Sequence, residues 1–262
     1  MALLQMNVYS KVLKMQTEVW AILPEKMPEK MPEKMTGGGL KTLWFMPGGH
    51  ADASAWVRGS AVERMALRRG VAVIMPGAFN SSCVNMNRWH QVNTYIGAEL
   101  PGIIRGMFPA LSHDRMDNMI SGFSNGGYGS FNLALSYPEV FGWGAPFGAG
   151  DKADVDWSQR PAERNMVYGD VDLKKTDYSL RNLANKLIAS GKPCPRLFHG
   201  CGEHDPWRDM NESVRDFMQS FPGDPFDYAF SIAEGCGHDY KAVELLLERF
   251  FDRVGLPVLA RR

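Results

Sequence analysis

The 262-residue sequence has no excess of charge of either sign and no apolar run long enough to cross a bilayer. Its 29 basic and 29 acidic residues give a formal net charge of zero at pH 7. A neutral chain has no general attraction for nucleic acid or for an anionic membrane. The N-terminal stretch MALLQMNVYSKVLKM also lacks the long apolar core of a secretory signal. We therefore expect a cytoplasmic protein that acts on a neutral small molecule, with neither nucleic acid nor membrane as a partner.

Cysteine is scarce as well. The four cysteines are far apart in the chain and lack the paired spacing of a zinc site or of a disulfide framework; they are Cys83, Cys194, Cys201 and Cys236. We expect them to be reduced thiols that pack in the protein interior.

Short apolar runs alternate with helical patterns along most of the chain. With 45% apolar residues, the chain can bury the core of one α/β domain spanning residues 1–262. Two strands between Asn7 and Leu23 are expected to form an antiparallel edge. Further strands are predicted at TLWFM (Thr42–Met46), VAVIM (Val71–Met75), NMISGF before Ser124, RLFHG from Arg196 and YAFSIA from Tyr228. Helices are predicted through WVRGSAVERMALRR, after Asn125, around Leu180–Ala189, from Trp207 to Ser220 and from Tyr240 to Val254. This order predicts a mostly parallel, doubly wound sheet with its ligand site at the carboxyl ends of the strands.

A low-complexity stretch interrupts this order between residues 24 and 39. The sequence PEKMPEKMPEKMTGGG repeats one four-residue unit three times and then runs into glycines. Prolines at that interval break helices and strands, and the charged residues favour water. We predict an exposed surface loop with no role in the chemistry.

The segment Gly122-Phe123-Ser124-Asn125-Gly126 has the pattern G-x-S-x-G. It follows an apolar strand and precedes a helix, which is the context of a nucleophile elbow. On such a turn the small flanking residues let the backbone adopt a strained conformation that exposes the serine hydroxyl. The pattern alone is also compatible with a glycine-rich turn that has no chemistry. We take Ser124 as the candidate nucleophile.

An acid and a base in the expected order follow the serine. Asp205 comes just after the strand RLF, and His238 lies between the strand YAFSIA and the last helix. The order serine, acid, histidine is that of a triad on a doubly wound fold. Glu203, Asp209 and Asp239 remain alternative acids. The other histidines, His50, His90, His113, His199 and His204, lie before the serine or beside the acid, and core or surface packing explains them.

The loop MPGGHADASAW follows an early strand, where a second oxyanion donor is expected. We assign the two N–H donors to Gly49 and to Asn125. Two segments are expected to shape the substrate pocket, residues 79–95 and 148–178. The second carries a cluster of Asp151, Asp154, Asp156 and Trp157 and is predicted to be a loop over the strand ends, with no cap domain. The candidate pocket residues are His50, Trp89, Tyr95 and Trp157, although core packing also explains each aromatic taken singly.

Several segments together resemble the esterase D branch of the α/β hydrolases, which includes S-formylglutathione hydrolases and tributyrin esterases. The resemblance covers most of the chain. The segments are NVYSKVLKM, LWFMPGGHADASAW, AVIMPGAFNS, YIGAELPGIIRGMFP, ISGFSNGGYGSFNLALSYPEVFG, CGEHDPW and GCGHDYKAVELLLERFF.

The resemblance implies an α/β-hydrolase fold without a large cap domain, and a carboxylesterase that cleaves small esters or thioesters without a metal or organic cofactor. It implies a triad of Ser124, Asp205 and His238, and it is compatible with a homo-oligomer. This chain departs from the family at three places: Pro47-Gly48 stands for His-Gly, Asn125 for an apolar residue and Tyr240 for tryptophan. The PEKM repeat is a further departure.

Three functions remain open at this point. The first is hydrolysis of small, short-acyl esters through an acyl-enzyme. The second is acyl transfer to an alcohol by the same triad, and the third is a catalytically silent fold that serves as a binding protein.

Overall fold

Eight strands form one sheet in the computed structural model, which describes residues 1–24 and 39–259. The strands are β1 (Ala2–Ser10), β2 (Met15–Leu23), β3 (Thr42–Met46), β4 (Ala72–Pro76), β5 (Asn118–Phe123), β6 (Trp143–Phe147), β7 (Arg196–Gly202) and β8 (Ala229–Ala233). Their order across the sheet is β1-β2-β4-β3-β5-β6-β7-β8. Strands β3 to β8 pair in parallel, whereas β1 and β2 form an antiparallel hairpin that joins the sheet at β4. The predicted fold class is therefore confirmed.

Nine α-helical segments of the described residues surround this sheet. They are α1 (Ala55–Gly59), α2 (Val62–Arg69), α3 (Val92–Thr94), α4 (Leu100–Met107), α5 (Asn125–Ser136), α6 (Pro161–Val167), α7 (Leu180–Ser190), α8 (Arg208–Gln219) and α9 (Tyr240–Val254). A π-helical turn, Tyr95–Glu99, joins α3 to α4. The segments after Gly148 that cover the strand ends are short, which fits the prediction that there is no cap domain.

The strands alternate their side chains between two hydrophobic layers. In β3, Trp44 packs in one layer, and Phe45 stacks on Trp56 of α1 in the other, with ring centres 3.7 Å apart. Every residue of β3 and β4 is buried, because helices cover both faces of the sheet. Successive residues of a strand point to opposite faces, so a continuous apolar run is what such a strand requires.

One predicted helix was wrong in detail, and one strand was missed. The helix predicted through WVRGSAVERMALRR is two helices, because the chain leaves α1 at Ser60 in an extended conformation. The Tyr240 ring packs so closely on Gly59 that a β-carbon there would clash with it. Strand β6 was not predicted at all. Its sequence WGAPF contains glycine and proline, which are weak strand formers, yet every residue of it is buried in the sheet.

The remaining predictions concern the repeat, the cysteines and the membrane. Most of the PEKM repeat lies outside the described residues. All four cysteines are free thiols, and three of them, Cys83, Cys201 and Cys236, are buried. Among the helices of the described residues, none combines the length and the apolar character that a membrane span requires.

Candidate active site

Ser124 occupies a sharp turn between the central strand β5 and the helix α5. Its φ of 58° and ψ of −118° lie in a region that side chains other than glycine rarely adopt. The neighbouring strand β6 holds this turn in place, because the Ser124 N–H donates to the carbonyl of Phe147 at 2.9 Å. Such strain persists only where the surroundings enforce it, and it is concentrated at functional sites.

The two glycines of the G-x-S-x-G pattern are required by close backbone approach. A β-carbon on Gly122 would clash with the carbonyl of Gly126, and one on Gly126 would clash with the carbonyls of Met46 and Pro47. The start of α5 is therefore pressed against both β5 and the loop after β3. This contact brings the Pro47–Gly49 loop next to Ser124.

Asp205 and His238 meet at the carboxyl ends of β7 and β8. The His238 Nδ1 lies 2.8 Å from the Asp205 Oδ2, and the Asp205 side chain is almost fully buried. The Trp207 N–H donates to the other carboxylate oxygen at 2.8 Å, so the carboxylate is fixed at both oxygens. With Nδ1 donating its proton to Asp205, Nε2 is left as an acceptor, which is the tautomer that a general base requires.

The imidazole of His238 lies beside the serine turn. Its ring centre is 4.3 Å from that of Phe123, the residue before Ser124. Gly148, just after β6, fills the remaining space: a β-carbon there would lie 3.1 Å from the His238 Cε1 and 3.1 Å from the Asp205 Oδ2. The structure thus pairs two of the proposed triad residues, Asp205 and His238, and places the imidazole beside the residue that precedes the third, Ser124.

Two of the alternative acids have other partners, and the third is exposed. Glu203 accepts the N–H of Gly235 at 2.8 Å. Asp239 caps α9 by accepting the N–H of Ala242 at 2.9 Å. Asp209 lies in the first turn of α8, where its side chain is exposed. Asp205 is therefore the carboxylate that the fold places against His238.

The two predicted oxyanion donors are close together. Asn125 is the first residue of α5, so its N–H has no partner within the helix. A β-carbon on Gly49 would lie 2.9 Å from the Asn125 Nδ2. The His50 N–H donates to the Asn80 Oδ1 at 3.0 Å, which holds the loop after β3 in place.

A cleft with about 460 Å³ of empty space, including its open mouth, begins at Ser124. It is lined by the start of α5, by the segment after β6 and by the start of α8. The lining residues are Ser124, Asn125, Tyr128, Gly148, Ala149, Gly150, Lys152, Val155, Arg160, Trp207 and Met210. Residues 148–160 belong to the second of the two segments that were expected to shape the pocket.

The four predicted pocket residues are not among those that line this cleft. Tyr95 is fully buried in the core, because it starts the π-helical turn on the side that faces the sheet. Trp89 is 69% exposed on a loop. Trp157 is buried behind the cleft, where its Nε1–H donates to the Lys152 carbonyl. His50 is exposed in the loop after β3.

Sequence reasoning missed the polar groups that line and support the cleft. Lys152 and Arg160 both reach it. Behind it, Asn211 accepts the Ala149 N–H at 2.8 Å, and the buried His199 lies 2.9 Å from the same amide oxygen. Burial lowers the pKa of His199 to about 4, so the ring is neutral and acts as a structural donor. The feature of the sequence that could have revealed these groups is strand β6. If that strand had been predicted, residues 148–152 would have been placed at the carboxyl ends of the strands, where ligands bind.

Comparison with known proteins supports the same architecture. The family model described as "Putative esterase" matches residues 16–190. An acetyl esterase of Caldicellulosiruptor saccharolyticus is 28% identical over 252 residues, which cover 92% of this chain and 93% of that protein.

Two solved structures from Staphylococcus aureus are similar over almost the whole chain. One is FphF, a fluorophosphonate-binding serine hydrolase with substrate bound, with a TM-score of 0.84 and 28% identity over 97% of this chain and 98% of that one. The other is the S-formylglutathione hydrolase FrmB, with a TM-score of 0.81, 28% identity and the same coverage. Because the family model matches more than half of the chain, the chain belongs to this esterase family and has its α/β-hydrolase fold.

Proposed function

We propose that this esterase is a serine carboxylesterase that hydrolyses small, short-acyl esters, with Ser124 as nucleophile, His238 as base and Asp205 as acid. The observation that carries the proposal is the strained serine turn beside a histidine that is held by a buried aspartate. A serine on a tight turn would also satisfy a structural role, but that role would not require an imidazole held in one tautomer next to it.

In the proposed reaction, His238 takes the Ser124 proton as the hydroxyl oxygen attacks the ester carbonyl. The N–H groups of Asn125 and Gly49 stabilise the negative charge on the carbonyl oxygen. The C–O bond to the alcohol then breaks, the alcohol leaves with the proton from His238, and the acyl group stays on Ser124. Water, activated by His238, attacks the acyl-enzyme, releases the acid and restores the serine.

The size of the cleft supports a short acyl group. The cavity volume of the cleft, about 80 Å³ without its open mouth, is below the usual range for small-molecule sites, so a small acyl group fits it best. Buried Tyr128 and Ala149 close the cleft at its inner end. The acetyl esterase relative and the S-formylglutathione hydrolase neighbour also support small acyl groups and an ester or thioester bond.

The proposal is tested by initial rates on p-nitrophenyl esters of increasing acyl length, for the wild type, Ser124→Ala and Ser220→Ala. Ser220 is an exposed serine at the end of α8 and serves as the matched control. We expect acetate and butyrate to be cleaved rapidly, with a loss of at least about 10³-fold in Ser124→Ala alone. Equal rates for the wild type and Ser124→Ala would exclude Ser124 as the nucleophile.

Two further measurements distinguish a hydrolase from the two alternatives, a catalytically silent binding protein and an acyltransferase. A fluorophosphonate probe should label the wild type at Ser124, and absence of an adduct would support a catalytically silent binding protein. Product analysis in the presence of an added alcohol should give mainly free acid. Ester formed in preference to acid would make acyl transfer the main activity.

A further inference from the structure

Lys152 places a buried ammonium group in the wall of the cleft. It follows β6 in a short helical turn, Lys152–Asp154, and only 9% of its surface is exposed. Its Nζ donates to the Asn125 Oδ1 at 2.6 Å and lies 5.7 and 5.8 Å from the ring centres of Tyr128 and Trp157. One amide oxygen and two ring faces are weak compensation for a charge removed from water.

The neighbouring carboxylates do not neutralise this charge. Within residues 1–24 and 39–259, no ion pair joins the Lys152 Nζ to a carboxylate within 4 Å. The buried Asp151 accepts from Ser179 and pairs with Arg181, which also pairs with Asp154. Those two acids are therefore held by a different cation.

A second cation, Arg160, lines the same cleft. Its guanidinium lies 4.9 Å from the ring centre of Trp157, so the indole supports both cations from behind. Glu163 lies 3.6 Å from Arg160 and partly offsets it at the surface. The cleft thus has two positive groups, Lys152 and Arg160, and one carboxylate at its edge. A bound anion would compensate the buried charge of Lys152.

The acyl part of an ester is the part that reaches Lys152. The leaving oxygen must lie next to His238, because it takes its proton from there. Among the described residues, the cleft is lined by the start of α5, by the segment after β6 and by the start of α8, and His238 is not part of the lining. An ester bound with its carbonyl oxygen at the Asn125 N–H would therefore direct its leaving group toward His238 and its acyl chain into the cleft.

We propose that the preferred substrates carry a carboxylate on the acyl group, as half-esters of short dicarboxylic acids do, and that Lys152 binds this carboxylate with Arg160 at the outer end. The inference rests on the proposed esterase function. The carboxylate is not changed in the reaction: water adds across the ester bond, the alcohol leaves, and a dicarboxylate is released. Lys152 is in this sense a specificity-determining residue.

The test compares two esters that differ only in charge, the 4-nitrophenyl half-ester of glutarate and its terminal carboxamide analogue. The ratio of their kcat/KM values is measured after subtraction of the uncatalysed rates. We expect the wild type to favour the anionic ester and Lys152→Met to lower the ratio about tenfold or more, which corresponds to ~1.4 kcal/mol. Lys152→Arg should retain much of the preference, and Lys192→Met, at an exposed loop lysine, should keep the wild-type ratio.

Both kcat/KM values of a ratio are measured on the same variant. Partial unfolding lowers the two values equally and therefore leaves their ratio unchanged. A wild type without preference for the anionic ester, or a Lys152→Met variant that keeps the wild-type ratio, would overturn the inference. A preference for 4-carboxyphenyl acetate over 4-carbamoylphenyl acetate, without one on the acyl side, would also overturn it. Failure of every ester, neutral and anionic, would instead contradict the proposed function itself.

Discussion

Replacing Gly148 by alanine tests whether the triad depends on the close packing observed around it. Gly148 has a φ of +58°, and a β-carbon there would lie 2.8 Å from the Phe123 Cε2. The same β-carbon would lie 3.1 Å from both the Asp205 Oδ2 and the His238 Cε1. The variant therefore combines backbone strain with a displacement of the acid and the base.

The two effects have different magnitudes and different readouts. A left-handed backbone costs a residue with a β-carbon about 1–2 kcal/mol. For a chain of this size that lowers Tm by roughly 2–8 °C. Carbon atoms in contact prefer separations near 3.5–4.0 Å, so the imidazole must move by about 0.5 Å. A misplacement of 1 Å can cost about 10²-fold in rate, and we therefore expect kcat/KM to fall roughly tenfold.

Gly191→Ala is the matched control. Gly191 has a φ of +67° at the end of α7, and a β-carbon there would meet no atom within 4 Å. It should lower Tm by a similar amount and leave kcat/KM on p-nitrophenyl acetate unchanged. Thermal unfolding and steady-state rates are measured on both variants. Full activity in Gly148→Ala, or an equal loss of activity in Gly191→Ala, would refute the reasoning from packing.

The remaining predictions concern the residues that hold the triad and the cleft in place, and the pH dependence of the substrate preference. Asn211→Ala should destabilise the fold by about 1–3 kcal/mol in urea unfolding, because it leaves the buried Ala149 N–H without its acceptor and the His199 Nε2 with the Ala149 carbonyl at 3.2 Å as its remaining partner. Asp205→Asn should lower kcat/KM by about 10⁴-fold because it favours the wrong tautomer of His238, whereas Asp239→Asn, which retains a capping side chain, should not. The preference for the anionic ester should be nearly full at pH 7 and below, and it should decline as the pH rises through about 8. Burial and the Arg160 charge lower the pKa of Lys152 to about 8, and only the protonated amine binds a carboxylate.

Each of these expectations has a result that contradicts it. An Asn211→Ala variant as stable as the wild type would show that the network contributes little to the cleft loop. Equal losses in the two aspartate variants would mean that charge near the imidazole, and not the hydrogen bond, is what matters. A preference that does not change between pH 7 and 10, or that changes equally in Lys152→Met, would exclude Lys152 as the titrating group.

The positions of the triad candidates could be predicted because they depend on chain order alone. Ser124, Asp205 and His238 each follow an apolar run, and parallel strands bring such positions to one edge of the sheet. The glycines near Ser124 indicate, from the sequence alone, that other backbone segments approach closely at this turn. A motif of this kind fixes the local geometry, so the fold only has to bring the segments together.

The pocket could not be predicted in the same way, because it depends on where side chains point. Tyr95 follows a helical turn, and no pattern distinguishes a ring that faces the sheet from one that faces the cleft. In the sequence, Lys152 is one charged residue of an acidic loop that is expected at the surface. Its place at the strand ends follows only once β6 is known to end just before it. Burial of a charged side chain is a tertiary property, and sequence composition favours the opposite expectation.

Asn125 and Lys152 form one unit, which explains why a polar residue stands where the resembled family often has an apolar one. A lysine ammonium has only donors, so it fixes the amide with Oδ1 toward Lys152 and Nδ2 toward Gly49. Asn125→Met alone would leave the ammonium buried without an acceptor, whereas Lys152→Met beside it removes the charge as well.

Urea unfolding of the two single variants and the double variant measures this coupling. We expect Asn125→Met to be the most destabilised of the three, with a coupling free energy of about 1.5–3 kcal/mol between the two positions. Additive losses would mean that the ammonium reaches water or another acceptor once the amide is gone. In that case the Lys152 charge is compensated without a substrate, and a substrate carboxylate would gain little by binding to it.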